Sequence, residues 1–387
     1  MIDFSRLSLF EEYRDPQSGV QSFILSTKPA DCVQSFYFVN QTLSVDQKYL
    51  WTYCFYPPLR SHSLGVVCLD PSAPFVRAFK EAVFYGATPL IAPEGNRVYF
   101  VDADLSAAQI CTIDIDGHVD SFARMDVGYI GSKALQRFGT HLSISADGKY
   151  MLVDGMFSTS GFVATVDMQT RQFNIITEYE NLHNHAQFSP IHSDLFLLDQ
   201  DSWCNPVTGK WIAFKNRIWI CDTAGTRFEP AVQRSWHGHD GTMFCHDFWS
   251  QDGWICWQDY KKGAYEMSLD TREMKHVWKE PLCHAHCNAD RSLWVADQSP
   301  YDWPSKACRV IFFNRTTGKT VDIHSAMPAP SYPGSNSSSS VYTGRDYHID
   351  PHPQFRKDGE YIICTATRRG KVEISITRVN QLIEFTH

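Results

Sequence analysis

Short runs of alternating apolar and polar residues recur along the whole chain, and each ends in a tight turn before a second β-rich run begins. The first runs lie at Leu43 to Leu50, Leu90 to Tyr99, Ile144 to Met151, Gln187 to Ser193, Phe248 to Gly253, Cys287 to Trp294 and Gln354 to Tyr361. Alternation with period two marks a strand with one buried face. Asp147-Gly148, Asp252-Gly253 and Asp358-Gly359 stand at the turns, and Asp-Gly between apolar segments signals a hairpin, because the turn requires positive φ. A second series follows the first at Gly65 to Asp70, Gln109 to Asp114, Phe162 to Asp167, Arg217 to Asp222, Tyr265 to Asp270, Val310 to Asn314 and Val372 to Ile376. Two hairpins per unit make a four-stranded blade, and seven such units, spaced by roughly 38 to 68 residues, match a propeller. The pattern predicts an all-β fold, one seven-bladed β-propeller of four-stranded antiparallel blades over residues 1–387. An additional strand at about 18–26, centred on Gln21 to Ser26, is expected to close the last blade. Residues 325–340, rich in Pro, Ser and Gly, predict a loop that covers one face as a flap.

Composition narrows the functional classes. A formal charge of -8 and a pI near 6.0 provide no basic footprint for nucleic acid or an anionic membrane. Met1 to Arg6 has no basic start followed by an apolar run, and no apolar stretch approaches the ~20 residues that cross a bilayer. The expectation is a soluble, cytoplasmic protein. Twelve cysteines are scattered through apolar runs such as Val66 to Leu69 and Ile362 to Cys364, which reads as buried free thiols and not as a disulfide framework.

Candidate chemistry appears when the repeats are aligned on their turns. Six positions before each turn stand Asn40, Thr88, His141, His185, His246, His284 and His352. Five of these seven are histidine, against roughly 0.3 expected from 16 histidines in 387 residues. Equivalent repeat positions lie at equal heights around a propeller axis, so these side chains are expected to converge on one mouth of the central channel. Cys283-His284-Ala285-His286-Cys287 and His348-Ile349-Asp350-Pro351-His352 add further ligands. Strand alternation would place His284 with His286, and His348 with Asp350 and His352, on common faces. Imidazole and carboxylate together suit a divalent metal such as Mn²⁺ or Zn²⁺. Two other readings stay open at this point: histidines that only hydrogen-bond neighbouring strands, and a structural zinc site using Cys283 or Cys287. His62, His118, His324 and His387 read as solvated or core residues. Arg217 opens a strand after Trp211 to Asn216 and offers a guanidinium fork matched to a carboxylate.

At these residues the sequence resembles the oligogalacturonate lyases, a family of seven-bladed propeller polysaccharide lyases. The matching pieces are Cys245-His246-Asp247-Phe248-Trp249, Cys283 to Ser292, Asp350 to Phe355, Arg217-Ile218-Trp219, and Gly139-Thr140 before His141. The resemblance implies His246 as Brønsted base, Arg217 as the substrate-binding residue that engages a uronate carboxylate, and His284 and His352 as holders of Mn²⁺, with Zn²⁺ or Ca²⁺ as other candidate ions. Asp350 stands where the family has a further metal-binding histidine, and Tyr347 stands near its glutamine ligand, with His348 as a candidate replacement. His141 replaces a tryptophan. Propeller lyases acting on ulvan or on rhamnose-glucuronate linkages use early-blade histidines, so His185 and His141 are alternative bases. The reaction implied is β-elimination at a 4-linked uronic acid of an acidic oligosaccharide. Rival classes are a non-catalytic scaffolding or sugar-binding propeller, and the cap of a prolyl-oligopeptidase-like hydrolase, which lacks its Gly-x-Ser-x-Gly elbow here.

Overall fold

The computed structural model describes residues 2–56, 61–131, 133–158, 160–205, 207–233, 244–298, 308–328, 349–368 and 370–387. Among them, seven antiparallel sheets follow one another along the chain and form the seven blades of a β-propeller. Blade 4 illustrates the plan: His183–Phe188, Leu195–Gln200, Ile218–Asp222 and Phe228–Pro230 pair in sequence order, each strand against the next. In blade 7, Gln354–Phe355, Tyr361–Arg368 and Lys371–Arg378 are joined from the other end of the chain by Gln21–Leu25 and Phe10–Arg14. Ring closure therefore ties the N-terminal segment to the C-terminal strands.

The turns explain why the repeats are readable. Gln47, Gly95, Gly148, Gly253, Arg291 and Gly359 occupy one turn position with φ between 59° and 83°. Each donates its N–H to the carbonyl three residues back. Four are glycine, for which the left-handed region carries no steric cost. Blade 4 departs from this pattern, with Leu195 N–H donating to the His192 carbonyl.

Alternate faces of each blade are apolar, and seven buried clusters fill the spaces between consecutive blades. Between blades 5 and 6, for example, Phe248, Cys256 and Trp278 meet Trp294, Ile311 and Phe313. Burial of these faces, at about 25 cal/mol per Å² of apolar surface, is the main force closing the ring. All twelve cysteines are free and eleven are buried, Cys204 being exposed. No helix among the described residues is long and apolar enough to cross a membrane.

The expected flap needs correction at its start. Ser325, Ala326 and Met327 belong to the strand Lys319–Met327, because the Asp15 carboxylate accepts from both the N–H and the hydroxyl of Ser325 at 2.9 Å. Residues 329–340 lie outside the described residues.

Candidate active site at the channel mouth

The repeat position that carries histidine is a place where the innermost strand leaves its ladder. In blade 3, Leu135–Phe138 and Ser143–Ile144 both pair with Tyr150–Phe157, so Gly139 to Leu142 is carried off the sheet. The register shifts between Asn184 and Gln187 in blade 4, and between Cys245 and Phe248 in blade 5. His185, His246 and His352 adopt left-handed backbone, with φ of 56°, 49° and 43°. A side chain with a Cβ is strained there. Such bulges re-aim a side chain, and here they bring the imidazoles together at the channel. Asn40 and Thr88, at the same repeat position, serve structure: the Asn40 amide donates to the Pro89 carbonyl, and the Thr88 hydroxyl accepts from Val101 N–H.

The five histidines divide into two groups. His141 Nε2 and His185 Nδ1 share a 2.5 Å hydrogen bond. On the other side, His246 stacks on His284 with ring centres 4.1 Å apart, and His284 meets His352 edge to face at 4.4 Å. Tyr37 and Phe38, in the blade 1 segment after Cys32–Gln34, reach into the ring. Tyr37 stacks on His141 at 4.6 Å, meets His352 at 4.8 Å, and lies within 6.1 Å of both His185 and His284. Phe38 is fully buried and faces His246, His284 and His352. This aromatic pair fills the space between the histidine groups, and the five imidazoles cannot surround one ion.

Backbone and carboxylate partners set the ring tautomers. His246 Nδ1 lies 2.7 Å from the Cys283 carbonyl, which can only accept, so Nδ1 carries the proton and donates. Its Nε2 lone pair faces the Tyr260 hydroxyl at 3.3 Å. His284 Nδ1 is 2.9 Å from the buried Asp297 carboxylate, whose other oxygen accepts from His284 N–H at 2.8 Å. That arrangement leaves His284 Nε2 as the ligand side. Asp154 performs the same holding role one blade pair earlier, accepting from Thr140 N–H and hydroxyl and from Ala186 N–H, beside His141 and His185.

Burial holds His141, His185 and His246 neutral. It lowers His141 to about 3, while the Ala87 backbone acts in the opposite direction. Burial, followed by repulsion from His141, drives His185 well below the usual imidazole range. Burial, followed by His284, does the same for His246. Tyr37 is driven well above its usual value by burial and then by Asp199 and Asp247, so its phenol stays protonated.

Two groups of potential metal ligands share His284. The ligand atoms of His284, Asp350 and His352 lie within 4.8 Å of one another, as do those of His246, Cys283 and His284. Ligands at about 2.0–2.2 Å from a common ion require separations in this range. Two imidazoles and a carboxylate suit Mn²⁺ or Zn²⁺, whereas Ca²⁺ takes oxygen ligands. In the second group His246 Nδ1 is already committed to the Cys283 carbonyl, so the His284, Asp350 and His352 set is the better fit.

Arg217 is buried and not a surface residue. Its guanidinium pairs with Asp199 at 2.9 Å and with Asp201. Although burial opposes its charge, these two carboxylates hold it firmly protonated. Asp199 is buried, while the Asp201 side chain is about a quarter exposed, at 28%.

One sequence expectation changes. His286 does not share the channel face with His284, because Cys283 and His284 together oppose Asp297 and the bulge breaks the alternation. Its Nδ1 instead accepts from Phe355 N–H at 3.1 Å and its ring stacks on Phe248. His348 and Tyr347 lie outside the described residues. Sequence reasoning missed Tyr37, Phe38, Tyr260 and the supporting Asp154 and Asp297. For the aspartates a signal existed: Val153-Asp154, Leu198-Asp199 and Ala296-Asp297 each end an apolar run with an acid.

A seven-bladed propeller with a histidine-lined channel mouth is the class this architecture defines. Two solved structures share the propeller fold over nearly their full length. An oligogalacturonate lyase in complex with manganese superposes with a TM-score of 0.73 at 16% identity, covering 95% of this chain and 96% of that one. An oligogalacturonate lyase from Vibrio parahaemolyticus gives 0.71 at 16% identity, covering 96% of each chain. The Swd1 propeller domain from Myceliophteria thermophila gives 0.53 at 8% identity, covering 89% of this chain and 97% of that one. No protein-family model matches the sequence, and no curated protein matches it. At these identities the comparisons establish the fold.

Proposed function

We propose that this protein is a carbon–oxygen lyase that cleaves short oligosaccharides containing 4-linked uronic acid by β-elimination. The observation that carries the reading is the fixed tautomer of His246, with Nδ1–H anchored on the Cys283 carbonyl at 2.7 Å, directly beside the convergent His284, Asp350 and His352 group. The oligogalacturonate lyase structures of the same fold, one bound to manganese, support it.

The chemical demand is removal of the C5 proton, which lies α to a carboxylate and is weakly acidic because its loss places further negative charge on that group. A divalent ion held by His284, Asp350 and His352 would offset that charge. His246 is the proton acceptor: burial keeps it neutral, its anchored Nδ1 leaves Nε2 as the basic atom, and an oriented imidazole contributes about 10²- to 10⁴-fold. Asp297 fixes His284 so that its Nε2 faces outward from that pair. Arg217 engages the uronate carboxylate by exchanging Asp201, the more exposed of its two partners, while Asp199 keeps hold of the guanidinium. Departure of O4 yields a 4,5-unsaturated uronate. The ulvan-type alternative rests on the His141–His185 hydrogen bond, which makes that pair the other basic centre at the mouth.

Replacement of His246 tests the assignment. His246→Ala should lose at least about 10²-fold in kcat on galacturonate oligomers, read from the ultraviolet absorbance of the unsaturated product. Activity retained in His246→Ala and lost in His185→Ala would transfer the base to the early blades.

A further inference from the structure

Blade 4 carries an arm that the proposed chemistry does not use. Between Leu195–Gln200 and Ile218–Asp222 the chain inserts a two-stranded hairpin, Trp203–Cys204 against Trp211–Ile212. Its root is tied to the end of the blade that bears His185. Asp201 N–H donates to the Leu182 carbonyl, Gln200 N–H donates to the Arg217 carbonyl, and His183 pairs with Gln200. The arm therefore rises from the end of blade 4 that bears His185.

Its composition is unlike the rest of the chain. Acidic residues outnumber basic ones overall by 43 to 35, yet residues 202–216 contain Lys210 and Lys215 and no Asp or Glu. Both lysines are exposed, and neither forms a salt bridge among the described residues. Trp211 is 68% exposed, with Val207 at the neighbouring turn 73% exposed. An indole left in water is available to a ligand, since burying an aromatic side chain is favourable by about 1.5–3 kcal/mol. Phe214, three residues further along the same arm, is buried, with the Arg217 guanidinium 5.9 Å from its ring centre. The arm thus presents a flat aromatic surface and two ammonium groups that have no salt bridge among the described residues, next to the Arg217 ion pairs.

We infer that this hairpin is an outer subsite for the acidic oligosaccharide, Trp211 stacking on the C–H face of a pyranose ring while Lys210 and Lys215 pair with uronate carboxylates. The inference rests on the proposed uronate substrate and adds the part of the molecule that sets chain-length preference. Trp211 lies six positions before Arg217, a reach of up to about 20 Å in extended chain, which leaves room for it to meet a sugar further out than the one at the histidines. Charge complementarity selects an anionic glycan over a neutral one, and the flat indole selects a ring over a peptide side chain.

Titration calorimetry on the full-length chain carrying His246→Ala, with galacturonate dimer and trimer as probes, tests this. Adding Trp211→Ala should weaken the trimer about tenfold, the loss expected of an aromatic contact residue, and leave the dimer within about twofold. Trp211→Phe should restore most of the trimer affinity, and Lys210→Ala with Lys215→Ala should weaken the trimer and flatten its salt dependence. Equal trimer affinity with and without Trp211 overturns the inference, as does a parent that binds no trimer. The reaction is judged separately on the native chain: product formation with an indifferent Trp211 removes the arm and keeps the lyase, whereas Trp211-dependent binding without product removes the lyase and keeps the arm.

Discussion

Asp297 accepts the Nδ1 proton of His284 at 2.9 Å while its second oxygen binds the His284 backbone N–H at 2.8 Å. One fully buried carboxylate thus fixes both the tautomer of the imidazole and the bulge that presents it. Asp297→Asn exchanges an acceptor for a donor opposite Nδ1–H and moves the proton to Nε2, the ligand atom. Bound Mn²⁺, measured by elemental analysis or calorimetry, should weaken by about 10- to 100-fold. Unchanged metal affinity would show that His284 does not ligate through Nε2.

The ring of Tyr37 meets histidines of both halves of the ring, His141 and His185 on one side and His284 and His352 on the other. Tyr37→Ala should lower unfolding free energy by about 3–5 kcal/mol in denaturant titrations, as expected for an aromatic removed from a filled interior. Tyr37→Phe keeps the ring that stacks on His141 and should stay within about 1.5 kcal/mol of the native chain. A mild effect of the alanine would mean that the mouth is open around this residue and not filled by it.

Acid should destabilise the fold through histidines that are buried neutral. His324 donates or accepts at Ser375 Oγ at 2.9 Å, and burial lowers it to about 4, with Asp15 pulling upward and Arg368 downward. Its stabilisation is full above the unfolded value near 6.5 and drains as pH falls towards 4, by about 1.4 kcal/mol per pH unit and about 3 kcal/mol in total. His324→Gln should therefore show a shallower loss of stability than the native chain between pH 6.5 and 4. Parallel slopes would place the acid sensitivity in other groups.

Arg217 is shared between Asp199 and Asp201, and the proposed exchange of Asp201 for a uronate carboxylate predicts the effect of removing that acid. Asp201→Asn should lower KM for uronate oligomers by removing the competing carboxylate, while Arg217→Lys, which keeps charge but loses the fork, should raise it. If neither variant changes KM, Arg217 serves only to anchor blade 4.

Much of this architecture was legible in the sequence because a repeat states the same physical instruction several times. The alternation around Ile144 to Met151 and its copies encodes a hairpin in each blade, and the shared offset of His141, His185, His246, His284 and His352 encodes a common height at the axis. What was illegible occurs once or depends on distant partners. Tyr37 and Phe38 lie in a stretch with no copy in other blades, so no register marked them. The partners of Arg217 depend on how the end of Leu195–Gln200 meets the start of Ile218–Asp222. His286 was misplaced because a bulge at Cys283 and His284 inverts the side-chain sequence that simple alternation predicts.

The central claim is that the histidine mouth eliminates across a uronate with the help of a divalent ion. The most direct measurement is the ultraviolet absorbance of galacturonate and glucuronate oligomers incubated with the metal-loaded protein, before and after exhaustive chelation and again after Mn²⁺ is restored. A rise in absorbance that chelation abolishes and Mn²⁺ restores is the predicted result. No rise with any uronate oligomer, with Mn²⁺ present throughout, would contradict it.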